Sequence, residues 1–220
     1  MIDSIEQIEK IFIEIDNKIN KKIKVYAIGG VALLDQGLKV ATKDIDLIVE
    51  TEEEFNGIQK ALENIGFKQK IPGDGYSHFN LSQIFIRDEY RVDIFKKQVC
   101  SKFSLSKNMI GRARRKIKLN YVDVLFCSNE DIFLFKTMTE REGDLSDCEG
   151  IVRAAVDWDI ILDELKKQIS SSGQDLWITW VGERFDLLEE RGIAIPIMDE
   201  INKLRIKFYN DLEKKFLEKK

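Results

Sequence analysis

Two aspartates separated by one isoleucine, in the segment DIDLIVE, are the first residues in this chain whose spacing suggests chemistry. The alternation of polar and apolar residues over 44–50 predicts a β-strand, in which residues two apart point to the same face. Asp44 and Asp46 therefore project side by side, and like charges held this close need a shared cation or good solvation. Mg²⁺ fits, because it prefers carboxylate oxygens, phosphates and water as ligands.

A second Asp-x-Asp pair in the same chain provides a comparison. Asp157 and Asp159 fall in a segment with helical periodicity, where residues two apart lie about 200° apart around the axis. They therefore cannot converge on one ion. The alternative interpretation of Asp44 and Asp46 is a pair of solvated acids at a sheet edge.

Thirteen residues separate a pair of glycines from the aspartates that follow. A predicted strand over 23–28 ends at Gly29 and Gly30 and turns directly into a short helix, so that backbone N–H groups are exposed without side chains in the way. Such a turn can bind phosphate through its backbone N–H groups, although a simple tight turn would have the same sequence. If the strand of Asp44 and Asp46 lies beside it, an anion site adjoins a cation site, as in a nucleotide–magnesium pocket.

A third acid, Asp93 in the segment YRVDIF, stands between two apolar residues of another predicted strand. Taken alone it fits an ordinary acid on a sheet surface. If its strand neighbours that of Asp44 and Asp46, three carboxylates meet, which is the set that two-metal phosphoryl transfer uses. One ion would hold a triphosphate and the second would activate an incoming hydroxyl, with Asp93 as a metal ligand and base.

The order of these motifs, GG followed by DID and then VDIF, resembles the signature of the DNA polymerase β-like nucleotidyltransferase superfamily in its minimal form. The resemblance covers about residues 23–95. It implies that Asp44 and Asp46 bind both metal ions, that Asp93 is the third ligand, and that Gly29 and Gly30 hold the β- and γ-phosphates. Many members have Gly-Ser at the glycine pair, so a serine contact to phosphate is absent here.

A further stretch, NEDIFLFKTMTEREGDLSD, is similar to a segment of abortive-infection nucleotidyltransferase toxins of the AbiEii type. In that resemblance an acidic helix start leads to a lysine, an arginine and then aspartates, which here are Lys136, Arg141, Asp144 and Asp147. It implies that Lys136 and Arg141 neutralise the triphosphate. The alternatives are a solvated helix residue for Lys136 and an ion pair with Asp144 or Asp147 for Arg141.

The elements that position these residues divide the chain near residue 128. The pattern predicts an α/β (α+β) region over 1–128, with one mixed β-sheet flanked by helices, and an all-helical region over 129–220. The predicted strands are 23–28, 44–50, 66–71, 78–82, 83–87, 90–95 and, as peripheral strands, 114–119 and 121–126. The predicted helices are 5–19, 31–37, 52–64, 105–112, 129–142, 145–156, 158–170, 174–191 and 196–218.

Composition indicates an ordinary globular protein of the cytoplasm. The 220 residues carry a net charge of −4, so a polyanion would need a local basic patch, for which 111–118 is the candidate. Its basic residues Arg112, Arg114, Lys116 and Lys118 are expected to share one face of a strand, although a solvated sheet edge explains them equally well. Cys100, Cys127 and Cys148 show neither disulfide nor zinc-site spacing, and no apolar run reaches the length of a membrane span. We expect no signal peptide and no membrane association.

Other residues give weaker evidence about function. Trp158, Trp177 and Trp180 are expected in a helical core rather than against a nucleotide base. His78 is the only histidine, and no nucleophile motif accompanies it.

The sequence thus favours a nucleotidyltransferase that uses two Mg²⁺ ions, or Mn²⁺, and a nucleoside triphosphate to modify the hydroxyl of an RNA such as tRNA, a protein or a small molecule. Toxin action with a cognate antitoxin and antibiotic modification are two versions of this hypothesis. A nucleotide-binding module without catalysis is the alternative class, and a structural partner protein would bind no nucleotide at all.

Overall fold

A computed structural model describes residues 1–70, 83–99 and 101–218 of the chain. The chain forms two compact units, a first unit of Met1–Ser128 and a second unit of Asn129–Lys220. No helix in the described ranges is both long enough and apolar enough to cross a lipid bilayer.

The first unit contains four helices and seven strands among its described residues. The helices are α1 (Ile5–Asp16), α2 (Gly30–Asp35), α3 (Glu52–Asn64) and α4 (Lys107–Arg112). The strands are β1 (Ile23–Ile28), β2 (Ile45–Val49), β3 (Lys68–Lys70), β4 (Gln83–Arg87), β5 (Tyr90–Lys96), β6 (Arg114–Lys118) and β7 (Val122–Phe126).

The seven strands form one mixed sheet in the order β3-β4-β5-β2-β1-β7-β6. At its centre β1 pairs in parallel with β7 and antiparallel with β2, and β2 pairs in parallel with β5. Because β1 and β2 are central, nearly all their residues are apolar and buried. The polar exception in β2 is Asp46, which is half-buried.

Polar side chains at the ends of two helices in the first unit form hydrogen bonds with nearby backbone groups. Helix α1 presents a buried apolar face, and Asp16 at its end accepts hydrogen bonds from the backbone N–H groups of Tyr121 and Val122 at 2.6 and 2.8 Å, which fixes the start of β7. Helix α3 begins with a capping box in which Thr51 and Glu54 satisfy each other's backbone N–H groups.

The second unit is helical throughout its described residues. Its helices are α5 (Asn129–Thr137), α6 (Glu142–Arg153), α7 (Trp158–Ser172), α8 (Trp177–Glu190) and α9 (Met198–Leu217). Phe133, Trp158 and Phe185 form its aromatic core, with ring centroids 5.6 to 6.2 Å apart. All of residues 131–137 in α5 are buried, so this helix is the centre of the unit.

The predicted fold class, a mixed sheet flanked by helices and followed by a helical region, is confirmed. The bounds of β1, β4 and α3 match the prediction residue for residue. The prediction that the strand over 121–126 is peripheral is wrong, because β7 lies inside the sheet between β1 and β6. The predicted strand 78–82, with His78, and Cys100 lie outside the described residues.

Two further expectations are corrected. The basic side chains of 112, 114, 116 and 118 do not share one strand face, because Arg112 ends α4 and an irregularity between Arg115 and Ile117 breaks the alternation in β6. Trp180 is not in the helical core, since 38% of it is exposed, whereas Trp177 is buried.

Candidate active site

The strand pairings bring two of the three predicted aspartates together. Asp46 in β2 lies in register with Asp93 in the neighbouring parallel strand β5. Residues paired across neighbouring strands project to the same face, so the two carboxylates lie side by side. Asp44 immediately precedes β2, two residues before Asp46.

The glycine pair lies at the same end of these strands. Ile28, the last residue of β1, is in register with Asp46, and Gly29 follows with a φ of +68°. A Cβ atom at Gly29 would lie 2.6 Å from Oδ2 of Asp46, so only a residue without a side chain fits there. The Asp46 carboxylate therefore rests directly against the backbone of the glycine turn.

Gly30 is required for a different reason. A Cβ atom at this position would lie 2.2 Å from Oγ1 of Thr42. Thr42 is buried, its backbone pairs with that of Ile2, and its hydroxyl donates to the carbonyl oxygen of Asp44 at 3.2 Å. Thr42 thus fixes the segment that leads into Asp44 against the start of α2.

A cation from the chain itself binds the third carboxylate. Nε and Nη2 of Arg91 donate to Oδ1 and Oδ2 of Asp93 at 2.7 and 2.6 Å. This hydrogen bonding raises the pKa of Arg91, burial partly opposes the rise, and the charges of Asp93, Asp44 and Asp46 add to it. The guanidinium group therefore lies in the electrostatic field of all three aspartates.

These four side chains carry an excess of negative charge, since three carboxylates face one guanidinium. Among residues 1–70, 83–99 and 101–218, no group of three His, Cys, Asp or Glu side chains is arranged to hold a metal ion. At Asp93 the physical reason is visible, because both carboxylate oxygens are turned to Arg91. Metal binding by Asp44, Asp46 and Asp93 stays a prediction.

The predicted lysine and arginine lie in the second unit and belong to a network of charges there. Lys136 Nζ donates to Asp144 at 2.8 Å and to Asp147 at 2.7 Å. The other oxygen of Asp144 accepts from the Thr139 hydroxyl at 2.6 Å and from Arg141 Nε at 2.7 Å. The expected ion pair of Arg141 with Asp144 is therefore present.

The network is mostly buried. The side chains of Lys136 and Asp144 are each 9% exposed, so Lys136 is not the solvated helix residue that was the alternative. Burial lowers the pKa of Lys136, but the charges of Asp144 and Asp147 outweigh it and hold the pKa above its usual value. Burial likewise raises the pKa of Asp144, but Lys136, Thr139 and Arg141 together hold it below its usual value.

Arg91 and Thr42 were missed in the sequence, although a signal for each was present. Arg91 precedes Asp93 by two residues in a predicted strand, which places both side chains on one face. Thr42 stands two residues before Asp44.

A mixed sheet with a glycine turn against an aspartate, and with a second aspartate in register on the next strand, is the arrangement that the resemblance to nucleotidyltransferases predicts. The chain belongs to the family described as "Nucleotidyltransferase of unknown function (DUF6036)", whose model matches residues 6–176. The protein is therefore an enzyme, a nucleotidyltransferase. No curated protein matches its sequence.

Several solved structures are similar to this chain. ANT(2″)-Ia, crystallised in complex with adenylyl-2″-tobramycin, is similar with a TM-score of 0.50 and 13% identity over 76% of this chain and 97% of that one. A proposed nucleotidyltransferase of Thermotoga maritima has a TM-score of 0.42 and 16% identity over 60% and 83% of the two chains. One from H. pylori has a TM-score of 0.40 and 14% identity over 94% and 95%.

Proposed function

We propose that this enzyme transfers a nucleoside monophosphate from a nucleoside triphosphate to an acceptor hydroxyl and releases pyrophosphate. The first unit would be the catalytic domain, and the helical second unit would select the acceptor. The observation that carries the proposal is the register of Asp46 with Asp93, next to a glycine turn that touches the Asp46 carboxylate. Family membership supports the general reaction.

The residues present suit a divalent metal. Their donors are carboxylate oxygens, and Asp93 already binds a cation, the Arg91 guanidinium. Asp44 and Asp46 would bind both ions and Asp93 would complete the site. Two Mg²⁺ or Mn²⁺ ions would neutralise the triphosphate and lower the pKa of the acceptor hydroxyl.

The chain's own groups would then align the reactants. Backbone N–H groups of Gly29 and Gly30 would hold the β- and γ-phosphates, since no side chain shields them. The acceptor oxygen forms a bond to the α-phosphorus, the bond from that phosphorus to the bridging oxygen breaks, and pyrophosphate leaves with its electron pair. Asp93 would accept the proton of the hydroxyl.

The roles of Lys136 and Arg141 differ in their support. Arg141 suits the predicted contact to the triphosphate, because 76% of its side chain is exposed. Lys136 already donates to two carboxylates, so its contact to phosphate would require both ion pairs to rearrange. We propose that Lys136 acts chiefly by holding Asp144, which in turn holds Arg141.

The versions of this function differ in the acceptor that receives the nucleotide. A tRNA, a protein side chain and a small molecule are the classes to test, and a toxin acting on the first two would have an antitoxin as partner. ANT(2″)-Ia shares the fold at 13% identity, so tobramycin is a reasonable small molecule to include. The alternative of a silent binding module is opposed by the presence of all three aspartates.

A test uses the full chain, each of the four triphosphates labelled at the α-phosphate, and Mg²⁺ or Mn²⁺. Total tRNA, a mixture of proteins and tobramycin serve as separate acceptors, and pyrophosphate release and label transfer are measured. We expect transfer to one class, and none with the Asp44→Asn/Asp46→Asn variant. If both proteins bind nucleotide and neither releases pyrophosphate with any acceptor, the binding module is correct.

A further inference from the structure

Arg91 contributes a positive side chain to the carboxylate cluster, and its position limits how a metal ion can enter. Its guanidinium group occupies both oxygens of Asp93 in a bidentate pair at 2.7 and 2.6 Å. Such paired, charge-assisted hydrogen bonds are among the strongest that proteins form. Asp93 thus has a cation of its own before any metal arrives.

The guanidinium group and a metal ion cannot both bind this carboxylate in the same geometry. An ion with Asp93 as a ligand needs one of the two oxygens, and two positive charges at contact distance repel each other in a partly buried site. The two partners also differ in solvent exposure. The Asp93 side chain is 7% exposed and fixed in a central strand, whereas that of Arg91 is 42% exposed on a long stem.

We propose that Arg91 is an internal counter-ion that holds Asp93 in the nucleotide-free enzyme and is displaced when the metal and the nucleoside triphosphate bind together. This inference rests on the proposed function, and it makes Arg91 a positioning residue. The physical basis is competition between two cations for one carboxylate.

The competition couples metal binding to nucleotide binding. Metal alone must displace Arg91 without offering it a new partner. A bound triphosphate offers phosphate oxygens, which a guanidinium fork binds as well as it binds a carboxylate. Nucleotide therefore strengthens metal binding, and by linkage the metal strengthens nucleotide binding by the same factor.

The same sheet contains a matched control. Arg115 pairs with Asp123 at 3.3 Å, and its side chain is 46% exposed, close to the 42% of Arg91. Asp123 lies in β7 rather than in β2 or β5. Loss of Arg115 therefore removes a similar ion pair outside the carboxylate cluster.

The experiment measures Mn²⁺ binding by the full chain, by titration calorimetry and by the electron paramagnetic resonance signal of free Mn²⁺. Wild type, Arg91→Met, Arg91→Lys and Arg115→Met are compared with and without the α,β-methylene analogues of the four nucleoside triphosphates. We expect Arg91→Met to bind Mn²⁺ alone about tenfold tighter than wild type, because a charge-assisted pair no longer competes. Arg115→Met should match wild type.

Two further results are expected. The analogue should tighten Mn²⁺ binding in wild type, and this enhancement should shrink in Arg91→Met. Arg91→Lys keeps a positive charge without the planar fork, so its Mn²⁺ affinity should lie between the other two. Because Lys retains the charge, this variant also serves if Arg91→Met is shown to be unfolded by circular dichroism.

Specific outcomes overturn the inference. If folded Arg91→Met, or Arg91→Lys in its place, binds Mn²⁺ no tighter than wild type, Arg91 does not compete for Asp93. That result leaves the proposed function intact wherever wild type still binds Mn²⁺ with the analogue and releases pyrophosphate. If no variant binds Mn²⁺ even with an analogue present, the inference and the proposed metal site fail together.

Discussion

Two clusters of aspartates, one in each unit, show opposite balances of charge. In the first unit the charges of Asp44, Asp46 and Asp93 act on the guanidinium group of Arg91, which pairs with Asp93. In the second unit Asp144 and Asp147 face both Lys136 and Arg141. Among these named side chains, three carboxylates accompany one cation in the first cluster, whereas two carboxylates accompany two cations in the second.

This difference separates a site that can take up a ligand from one that holds a fold together. A cluster with excess negative charge next to a glycine turn can bind a cation and the anion that accompanies it. A buried cluster with balanced charges has little to gain from an added ion, and removal of one partner leaves a buried charge unpaired. Mutations in the two clusters should therefore affect different properties of the protein.

The largest effect should come from Asp46→Asn. We expect nucleotidyl transfer to fall about a thousandfold, since loss of a metal ligand removes several kcal/mol of transition-state stabilisation. The midpoint of thermal unfolding should stay the same or rise, because the change removes repulsion between like charges. Pyrophosphate release and circular dichroism measure the two quantities. Asp159→Asn, in the helical Asp-x-Asp pair, is the control, and unfolding of Asp46→Asn would contradict the assignment.

Lys136→Met should show the reverse pattern in the second unit. It leaves Asp144 and Asp147 buried without their shared cation, so we expect the free energy of unfolding to fall by about 3 kcal/mol or more. Urea denaturation followed by helical circular dichroism measures it. Lys203→Met, which removes a lysine side chain that is 74% exposed, should change stability by less than about 0.5 kcal/mol. A loss equally small for Lys136→Met would show that the buried network contributes little.

Two glycine variants separate backbone strain from damage to the site. Gly29 and Gly37 have φ angles of +68° and +70°, so alanine at either position should cost about 1–2 kcal/mol of stability. Only Gly29→Ala places a Cβ atom 2.6 Å from Oδ2 of Asp46, whereas Gly37 has no atom within 4 Å of the added Cβ. We therefore expect Gly29→Ala alone to lose transfer activity, by about a hundredfold. Equal activity of the two variants would argue against the glycine turn as part of the site.

The smallest effect is expected for Arg141→Ala, which tests whether the second cluster also contributes to function. Arg141 pairs with Asp144, but the arginine side chain itself is largely exposed to solvent. We therefore expect the free energy of unfolding to fall by less than about 1 kcal/mol. If the proposed contact to the triphosphate is correct, the KM for nucleotide rises about tenfold with little change in kcat. Arg153→Ala, which removes a similar exposed pair with Glu149, is the control in the same steady-state assay. An unchanged KM would restrict Arg141 to its structural pair.

Short-range patterns in the sequence are enough to assign most elements and several candidate residues. Side-chain alternation and helix capping depend on neighbours within a few positions. Such local patterns predict the strand of Asp44 and Asp46, the glycine turn at Gly29 and the start of α3. Family membership then agrees with the reaction class that these motifs predict.

The partners of those residues depend on contacts between distant parts of the chain. The register that sets Asp46 beside both Ile28 and Asp93 follows from how three strands pack. Lys136 is likewise buried in a helix, α5, that packs against α6, α7 and α8. Periodicity indicates which face of an element is apolar, but only tertiary packing decides which charges meet, because that choice depends on register and burial rather than on local conformation.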